Sequence, residues 1–417
     1  MGTGAVARPA EADMLRRRWH RVTALRGSQP NKSANLCVSL MRRFPAPVKL
    51  MIWKILKYAV IAIVCLAVVL LSSALLYRKY LQHSVAVERA ITSPTGINSL
   101  ESVRIGGIDQ WIQVRGQDVN NPILLFIHGG PGIAFIPLAG AWQGPWERYF
   151  TVVQWDQRGA GKTYASNDKE LQRRTMSVPQ MEQDTVDVAN YLRARFKREK
   201  IFVLGHSWGS ILGLWLAHEH PELIYAYGGI GQVVSMDQNE KVGYQNALQE
   251  ARKRHNEQAI KDLESIAPYP PPNVDAGKTS TLRDWERDLL GPPPGTPQFV
   301  DTKRILSAVV SAPEYSLADD YGWIQSTPFS LNTMLPQLAK VDLRKLGSDF
   351  RVPIFFFEGR YDPYSPSSVI VEYCESIKAP HKEFIWFDNS GHFPFFEEEH
   401  KFADELVQRV LRLANGR

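Results

Sequence analysis

Cysteine is scarce in this chain of 417 residues, and the three present are spread so that no pair can form inside the folded part. Cys37 lies in an N-terminal tail, Cys65 in an apolar run, and Cys374 alone in the C-terminal region. That excludes a disulfide framework, whatever the compartment. Acidic residues are nearly missing from residues 1–57, which hold 12 Lys/Arg and 2 Asp/Glu, a balance of +10. The net charge is +6, so the remaining residues carry −4, and the basic balance belongs to the tail. The tail lacks a row of stacking aromatics, which argues against a nucleic-acid partner. With 44% hydrophobic and 22% charged residues, the rest has the composition of a folded protein and not of a disordered chain, a collagen or a coiled coil.

What the N-terminal region does contain is a run of twenty uncharged residues, Tyr58 to Tyr77, flanked by Lys54 and Lys57 before and by Arg78 and Lys79 after. At about 1.5 Å per residue it is long enough to cross a hydrocarbon core of about 30 Å. The positive excess lies upstream, so the positive-inside rule places the N-terminus in the cytoplasm and the rest of the chain on the outer side. This is the pattern of a single-pass signal anchor. The alternative is a cleaved signal peptide with Ser72-Ser73-Ala74 as its small-residue site, against which the length of the run counts. Met51 also opens a complete signal-type segment by itself, so residues 1–50 read either as an over-extended start or as a disordered tail.

From about Ser93 the pattern changes. Ser102 to Ile105 and Trp111 to Val114 flank Gly106-Gly107 as a hairpin, and Ile123 to Ile127, Val152 to Trp155, Ile201 to Leu204, Ile224 to Ile230, Val352 to Phe357 and Phe384 to Phe387 read as strands. A helix is expected over Val178 to Lys197, where Met181, Val188, Leu192 and Phe196 fall at helical spacing. Strands alternating with helices imply a mostly parallel sheet with helices on both faces. Between residues 233 and 346 the rhythm breaks into a charged helical stretch near Asn239 to Ile266 and the proline clusters Pro270 to Pro272 and Pro292 to Pro294, which need no partner as connectors. The expected organisation is therefore a tail over 1–57, an anchor over 58–77, a core in two parts over 93–232 and 347–417, and between them a largely helical cap over the sheet's C-terminal edge.

Gly205-His206-Ser207-Trp208-Gly209 places G-x-S-x-G between an apolar strand and a helix, the context of a nucleophile elbow. Downstream, the strand Ile354 to Phe357 runs into Glu358-Gly359-Arg360-Tyr361-Asp362, and Gly391-His392 follows another strand. The chain order Ser207, Asp362, His392 is the nucleophile, acid, base order of α/β-hydrolases. In such a triad His392 removes the Ser207 proton and Asp362 fixes the tautomer and stabilises the imidazolium. Asp388, four residues before His392, is the rival acid. His128-Gly129-Gly130-Pro131-Gly132 follows a strand and can aim backbone N–H groups at a developing charge, so Gly130 N–H and Trp208 N–H are the expected oxyanion hole.

Two decoys fall on spacing. Gly159-Ala160-Gly161-Lys162-Thr163 looks like the end of a phosphate-binding loop, but Asp156 stands where that motif needs glycine. His218-Glu219-His220 lacks the H-E-x-x-H spacing of a metal site. No cofactor or metal is expected.

Taken together, His128 to Gly132, Gln154-Trp155-Asp156-Gln157-Arg158-Gly159, Ser207 to Ser210, Gly359 to Asp362 and Gly391-His392 resemble the proline iminopeptidases, the S33 serine aminopeptidases of the α/β-hydrolase superfamily, over about residues 97–415. The resemblance implies an α/β-hydrolase fold, release of an N-terminal residue from a small peptide, and acidic cap residues that hold the substrate's free amino terminus. Trp285-Glu286 resembles an amine-binding Trp-Glu pair, which implies a substrate-binding role for Glu286. The chain departs from the family in having His206 where those enzymes have glycine. A carboxylesterase or lipase-like enzyme of small esters or amides is the alternative on the same triad, whereas Ser207 excludes the related enzymes that use an aspartate nucleophile.

Overall fold

The computed structural model describes residues 45–271, 275–293 and 302–415. Most of the basic tail with Cys37, and Pro272 and Pro294 of the two proline clusters, lie outside the described residues. The chain divides into a unit ending at Leu76 and a unit from Tyr77 to Arg417. Helix α1 (Ala46–Glu88) contains the whole uncharged run and continues eleven residues past it. Its apolar side chains from Leu50 to Leu76 are largely exposed, and among the described residues it is the one helix long and apolar enough to cross a membrane.

In the second unit eight strands form one sheet in the order β1-β2-β4-β3-β5-β6-β7-β8. The expected hairpin is β1 (Ile97–Ile105) and β2 (Ile108–Gly116), paired antiparallel from Ile97 opposite Gly116 to Ile105 opposite Ile108. β3 (Ile123–Ile127), β4 (Thr151–Asp156), β5 (Ile201–His206), β6 (Ile224–Ile230), β7 (Ile354–Gly359) and β8 (Lys382–Phe387) are parallel to one another. Alternation along the strands feeds two cores. Leu125, Ile127, Val153 and Val203 point to one face, and Leu124, Phe126, Val152 and Phe202 to the other, where Trp142, Trp146 and Phe395 cover them.

The first face is covered by α2 (Val178–Phe196) and α3 (Trp208–Glu219). The Ser177 hydroxyl caps α2 by accepting from Gln180 N, and the chain leaves it through Lys197 at φ +51°. After β6 come α4 (Met236–Lys253), α5 (Glu257–Ser265), α6 (Ala276–Leu290), α7 (Thr302–Ser311) and α8 (Leu317–Leu338), then the return to β7, which α9 (Ser367–Ser376) follows. The charged stretch over Asn239 to Ile266 is two helices and not one, because His255 takes φ +52° and the Asn256 side chain caps α5 by accepting from Ala259 N. A buried ion pair ties the core together. Arg158 Nε donates to Asp184 Oδ2 at 2.9 Å, with both side chains fully enclosed.

Candidate active site

Because β3, β5, β7 and β8 are parallel, the loops after them open at one edge of the sheet, the edge at which open α/β folds bind ligands. Ser207 leaves β5 at φ +53° and ψ −121°, a conformation rare for a residue with a side chain. Its neighbours permit the turn. A Cβ on Gly205 would lie 2.5 Å from Gly209 O and 2.8 Å from Ser210 Cα, so only glycine lets strand and helix approach that closely. The elbow is locked by Ser207 N donating to Ile230 O at 2.9 Å and by Ser210 N donating back to Ser207 O at 2.9 Å.

His392 and Asp362 meet across thirty residues of chain. His392 Nδ1 is 2.7 Å from Asp362 Oδ2, and both side chains are buried. The carboxylate's other oxygen, Oδ1, accepts from Tyr364 N at 2.8 Å and Ser365 N at 3.0 Å, so its orientation is fixed before substrate arrives. With the Nδ1 proton held there, Nε2 is the ring atom left to accept one. Asp388 is solvent-exposed and its Oδ1 accepts from Arg360 Nη2 at 2.8 Å, away from the imidazole.

The glycine loop after β3 stands against the elbow, since a Cβ on Gly129 would lie 3.0 Å from Ser207 Cβ. Gln157 fixes this approach. Its side-chain amide donates to His128 O at 2.8 Å, and its Oε1 accepts from Trp208 Nε1 at 3.0 Å, so one residue clamps the loop to the elbow. His128 is neutral there: Nδ1 donates to Gly129 O at 2.8 Å, Nε2 accepts from Gln157 N at 3.3 Å, and burial brings its pKa down to about 4. Lys162 of the decoy glycine loop is an ion-pair partner of Asp319 at 2.7 Å.

The cap contributes charge. Glu286 is fully buried on α6, its Oε2 accepts from Arg283, and its Oε1 has no hydrogen-bond partner among the described residues. Burial lifts its pKa to about 7 against the pull of Arg283, and the charges of Glu240 and Asp362 push in the same direction as burial. Glu240 on α4 accepts from Arg283 and from Tyr269 Oη at 2.5 Å. Tyr364, whose ring is 5.2 Å from His392, carries a raised pKa through burial, and feels the charges of Arg283, Glu286 and Asp362, which links the cap cluster to the sheet edge that carries His392.

Three further residues belong to the site, of which only His206 stood out in the sequence, as a departure from the family's glycine. His206 Nε2 donates to the carbonyl of His392 at 2.9 Å. Gly231, at φ +53°, backs onto the His–Asp pair, where a Cβ would lie 2.7 Å from His392 Cε1 and 3.1 Å from Asp362 Oδ2. Glu358 is buried beside them, its Oε1 accepts from Gln232 N at 3.0 Å, and burial followed by the Asp362 charge pushes its pKa well up. Only its place two residues after the Phe356 of a buried strand marked it, and that marks a core position.

A parallel sheet with a strained serine elbow at its C-terminal edge and an inserted helical segment defines an α/β hydrolase. Residues 124–405 match the alpha/beta hydrolase family, to which the chain belongs. The chain is 30% identical over 330 residues to a protein of Bacillus subtilis (strain 168) named Probable aminopeptidase YbaC, covering 77% of this chain and 98% of that protein. It is 23% identical to the proline iminopeptidase of Neisseria gonorrhoeae over 72% of this chain and 91% of that one. The crystal structure of a proline iminopeptidase-related protein of Thermus thermophilus superposes with a TM-score of 0.55 at 18% identity, covering 76% of this chain and 99% of that one. Within the family the chain is thus proline iminopeptidase-like.

Proposed function

We propose that this protein is a membrane-anchored serine hydrolase that works through an acyl-enzyme, and that it is an aminopeptidase of proline iminopeptidase type. The observation that carries the chemistry is the buried 2.7 Å contact of His392 Nδ1 with Asp362 Oδ2 at the same sheet edge as the Ser207 elbow. In this reading His392 Nε2 takes the Ser207 hydroxyl proton as the oxygen bonds to the scissile carbonyl carbon. The carbonyl oxygen becomes an oxyanion facing Gly130 N–H and Trp208 N–H. His392 then gives the proton to the leaving amine, the C–N bond breaks, and water repeats the sequence on the ester. Asp362 stabilises the imidazolium at both steps.

The preference for a free amino terminus is supported by Glu286, whose buried Oε1, without a partner among the described residues, suits an ammonium donor. An esterase or lipase-like enzyme would have no use for that oxygen. Helix α1 is the anchor, with the N-terminus cytoplasmic and the catalytic unit outside. The test is Ser207→Ala in the full chain, assayed with aminoacyl amides and short-chain esters and with a fluorophosphonate probe. Labelling should vanish and turnover fall on the order of 10⁶-fold. Persistence of most activity would exclude the serine mechanism, and wild-type preference for N-blocked amides or simple esters would exclude the aminopeptidase reading.

A further inference from the structure

Among the described residues after α1, the exposed large apolar side chains are Tyr149, Tyr361 and five on α7 and α8. Leu306 and Val310 lie four residues apart on α7, and Leu317, Tyr321 and Ile324 lie at i, i+4 and i+7 on α8, where they are 55%, 67% and 53% exposed. That spacing puts the three α8 residues on one stripe of the helix. The opposite side of α8 is used inward. Ser326 Oγ donates to Gly132 O at 2.7 Å, Trp323 Nε1 to Ala134 O at 2.9 Å, and Ser330 Oγ to Gly159 O at 2.7 Å. The stripe therefore backs a helix that is bonded to the glycine loop of the site.

The stripe also has a fixed neighbour. Arg78, the first charge after the uncharged run, donates through Nη2 to Asp320 Oδ2 at 2.7 Å and to Tyr315 O at 3.0 Å. Gln82, one turn further along α1, donates to Ala312 O at 2.7 Å and Tyr315 O at 2.9 Å, and Arg89 pairs with Glu314 at 3.5 Å. These contacts hold the chain from Arg78 to Arg89 against residues 312–320. Asp320 is adjacent to Tyr321, and Leu317 and Ile324 are three and four residues from it, about 4.5 and 6 Å along the helix axis. If the run spans a bilayer, Arg78 stands near the hydrocarbon boundary, and Tyr321, next to the Asp320 that Arg78 binds, is close enough to reach the layer in which interfacial helices bury their apolar faces. Tyr77, Tyr80 and Tyr321 are aromatic residues suited to that layer, all more than 60% exposed.

We infer that the Leu317, Tyr321 and Ile324 face of α8 is a membrane-contact surface, seated in the headgroup and upper acyl region of the bilayer that holds α1. The inference rests on the anchor reading above. A single spanning helix leaves a domain free to tilt, whereas a second contact one turn from the helix's exit fixes which face meets the lipid. The bonds from α8 to Gly132 and Ala134 then tie the glycine loop to the helix that meets the lipid.

The experiment uses the full chain, freed of native cysteines except the one under test, labelled with an environment-sensitive fluorophore and placed in nanodiscs of phosphatidylcholine and phosphatidylglycerol. Labels go on Tyr321→Cys, Ile324→Cys, native Cys65 in the apolar run, and Lys378→Cys, an exposed site near the sheet's opposite edge. Lipids carrying a spin-label quencher high on the acyl chain should quench positions 321 and 324 at least about 3-fold more than position 378, with Cys65 responding to a deep quencher. Quenching of Cys65 with positions 321 and 324 no different from 378 overturns the inference and leaves the anchor standing. Absence of quenching at Cys65 overturns the anchor reading and the inference with it. Mutual contact of labels at 321 between two chains, without lipid quenching, assigns the stripe to a dimer and also overturns the inference.

Discussion

The ring of His206 lies 4.7 Å from the ring of His392, and its Nε2 hydrogen-bonds the His392 carbonyl at 2.9 Å. A carbonyl only accepts, so Nε2 carries the proton. Burial against Phe135, Phe393 and Phe395 lowers the His206 pKa well below the usual range, with the neighbouring His392 acting in the same direction, so the ring is neutral. A charged ring there would oppose the imidazolium that forms on His392 during the proposed reaction. The proposed base, His392, is thus held at two points, by Asp362 at Nδ1 and by His206 at its backbone, which gives the departure from the family's glycine a physical role.

Replacing His206 by alanine removes that backbone tether and leaves the buried His392 carbonyl without its donor, at a cost of about 1–3 kcal/mol. We expect kcat to fall roughly 5-fold to 150-fold with KM little changed, and His206→Gln to recover part of the loss. Steady-state kinetics decide it, and a kcat equal to wild type in the alanine variant would remove His206 from the site.

Gly231→Ala places a methyl group against His392 and Asp362 at a backbone angle that side chains rarely adopt. Displacing the pair by a fraction of an ångström should cost on the order of 10²-fold in kcat, because catalytic geometry tolerates little error. The protein should remain folded at the assay temperature, as thermal unfolding will show. A variant with normal turnover would show that the pair can shift freely.

Glu286 should confer a distinctive pH dependence on free-amine substrates. Its pKa is raised to about 7, mainly by burial, so the carboxylate is present above that pH and lost below it. A substrate α-amine loses its charge above about 7.7–8.0. The ratio of kcat/KM for free-amine over N-blocked substrates should therefore peak between about pH 7 and 8. Glu286→Gln should flatten the ratio and lower kcat/KM for free amines about 10-fold to 150-fold, from a charged hydrogen bond of roughly 1.5–3 kcal/mol. Equal losses on both substrate types would exclude this role.

Stability should depend on the enclosed Arg158–Asp184 pair. Asp184 also accepts from Gln110 at 2.8 Å and Gln180 at 2.7 Å, so Asp184→Ala leaves a buried guanidinium without its counter-charge and takes one acceptor from each of two amides. The expected destabilisation is about 3–5 kcal/mol, read by thermal unfolding of the full chain in detergent. A loss below about 1 kcal/mol would show that water reaches Arg158.

Much of this was legible without coordinates where the determining physics is local. Glycines at 205 and 209 around Ser207 permit one kind of turn, the apolar runs at 123–127 and 201–204 suit a strand buried on both faces, and twenty uncharged residues have the length of a bilayer. Another local signal is Asn256, an N-cap that divides the stretch near 239–266 into two helices. Other relationships depend on residues that approach only through space. His206 meets His392 across 186 positions, Arg78 meets Asp320 across 242, and neither pair shares a period or a turn that a sequence pattern records. The same holds for Glu286, where the adjacent Trp285 said nothing about burial, and its unpartnered oxygen follows only from how α4 and α6 enclose it. Sequence determined which residues were able to do chemistry, because backbone conformation and hydrophobic period are set by near neighbours. The sheet order and the enclosure of the cap decided which of them meet, because those are set by packing between segments far apart in the chain.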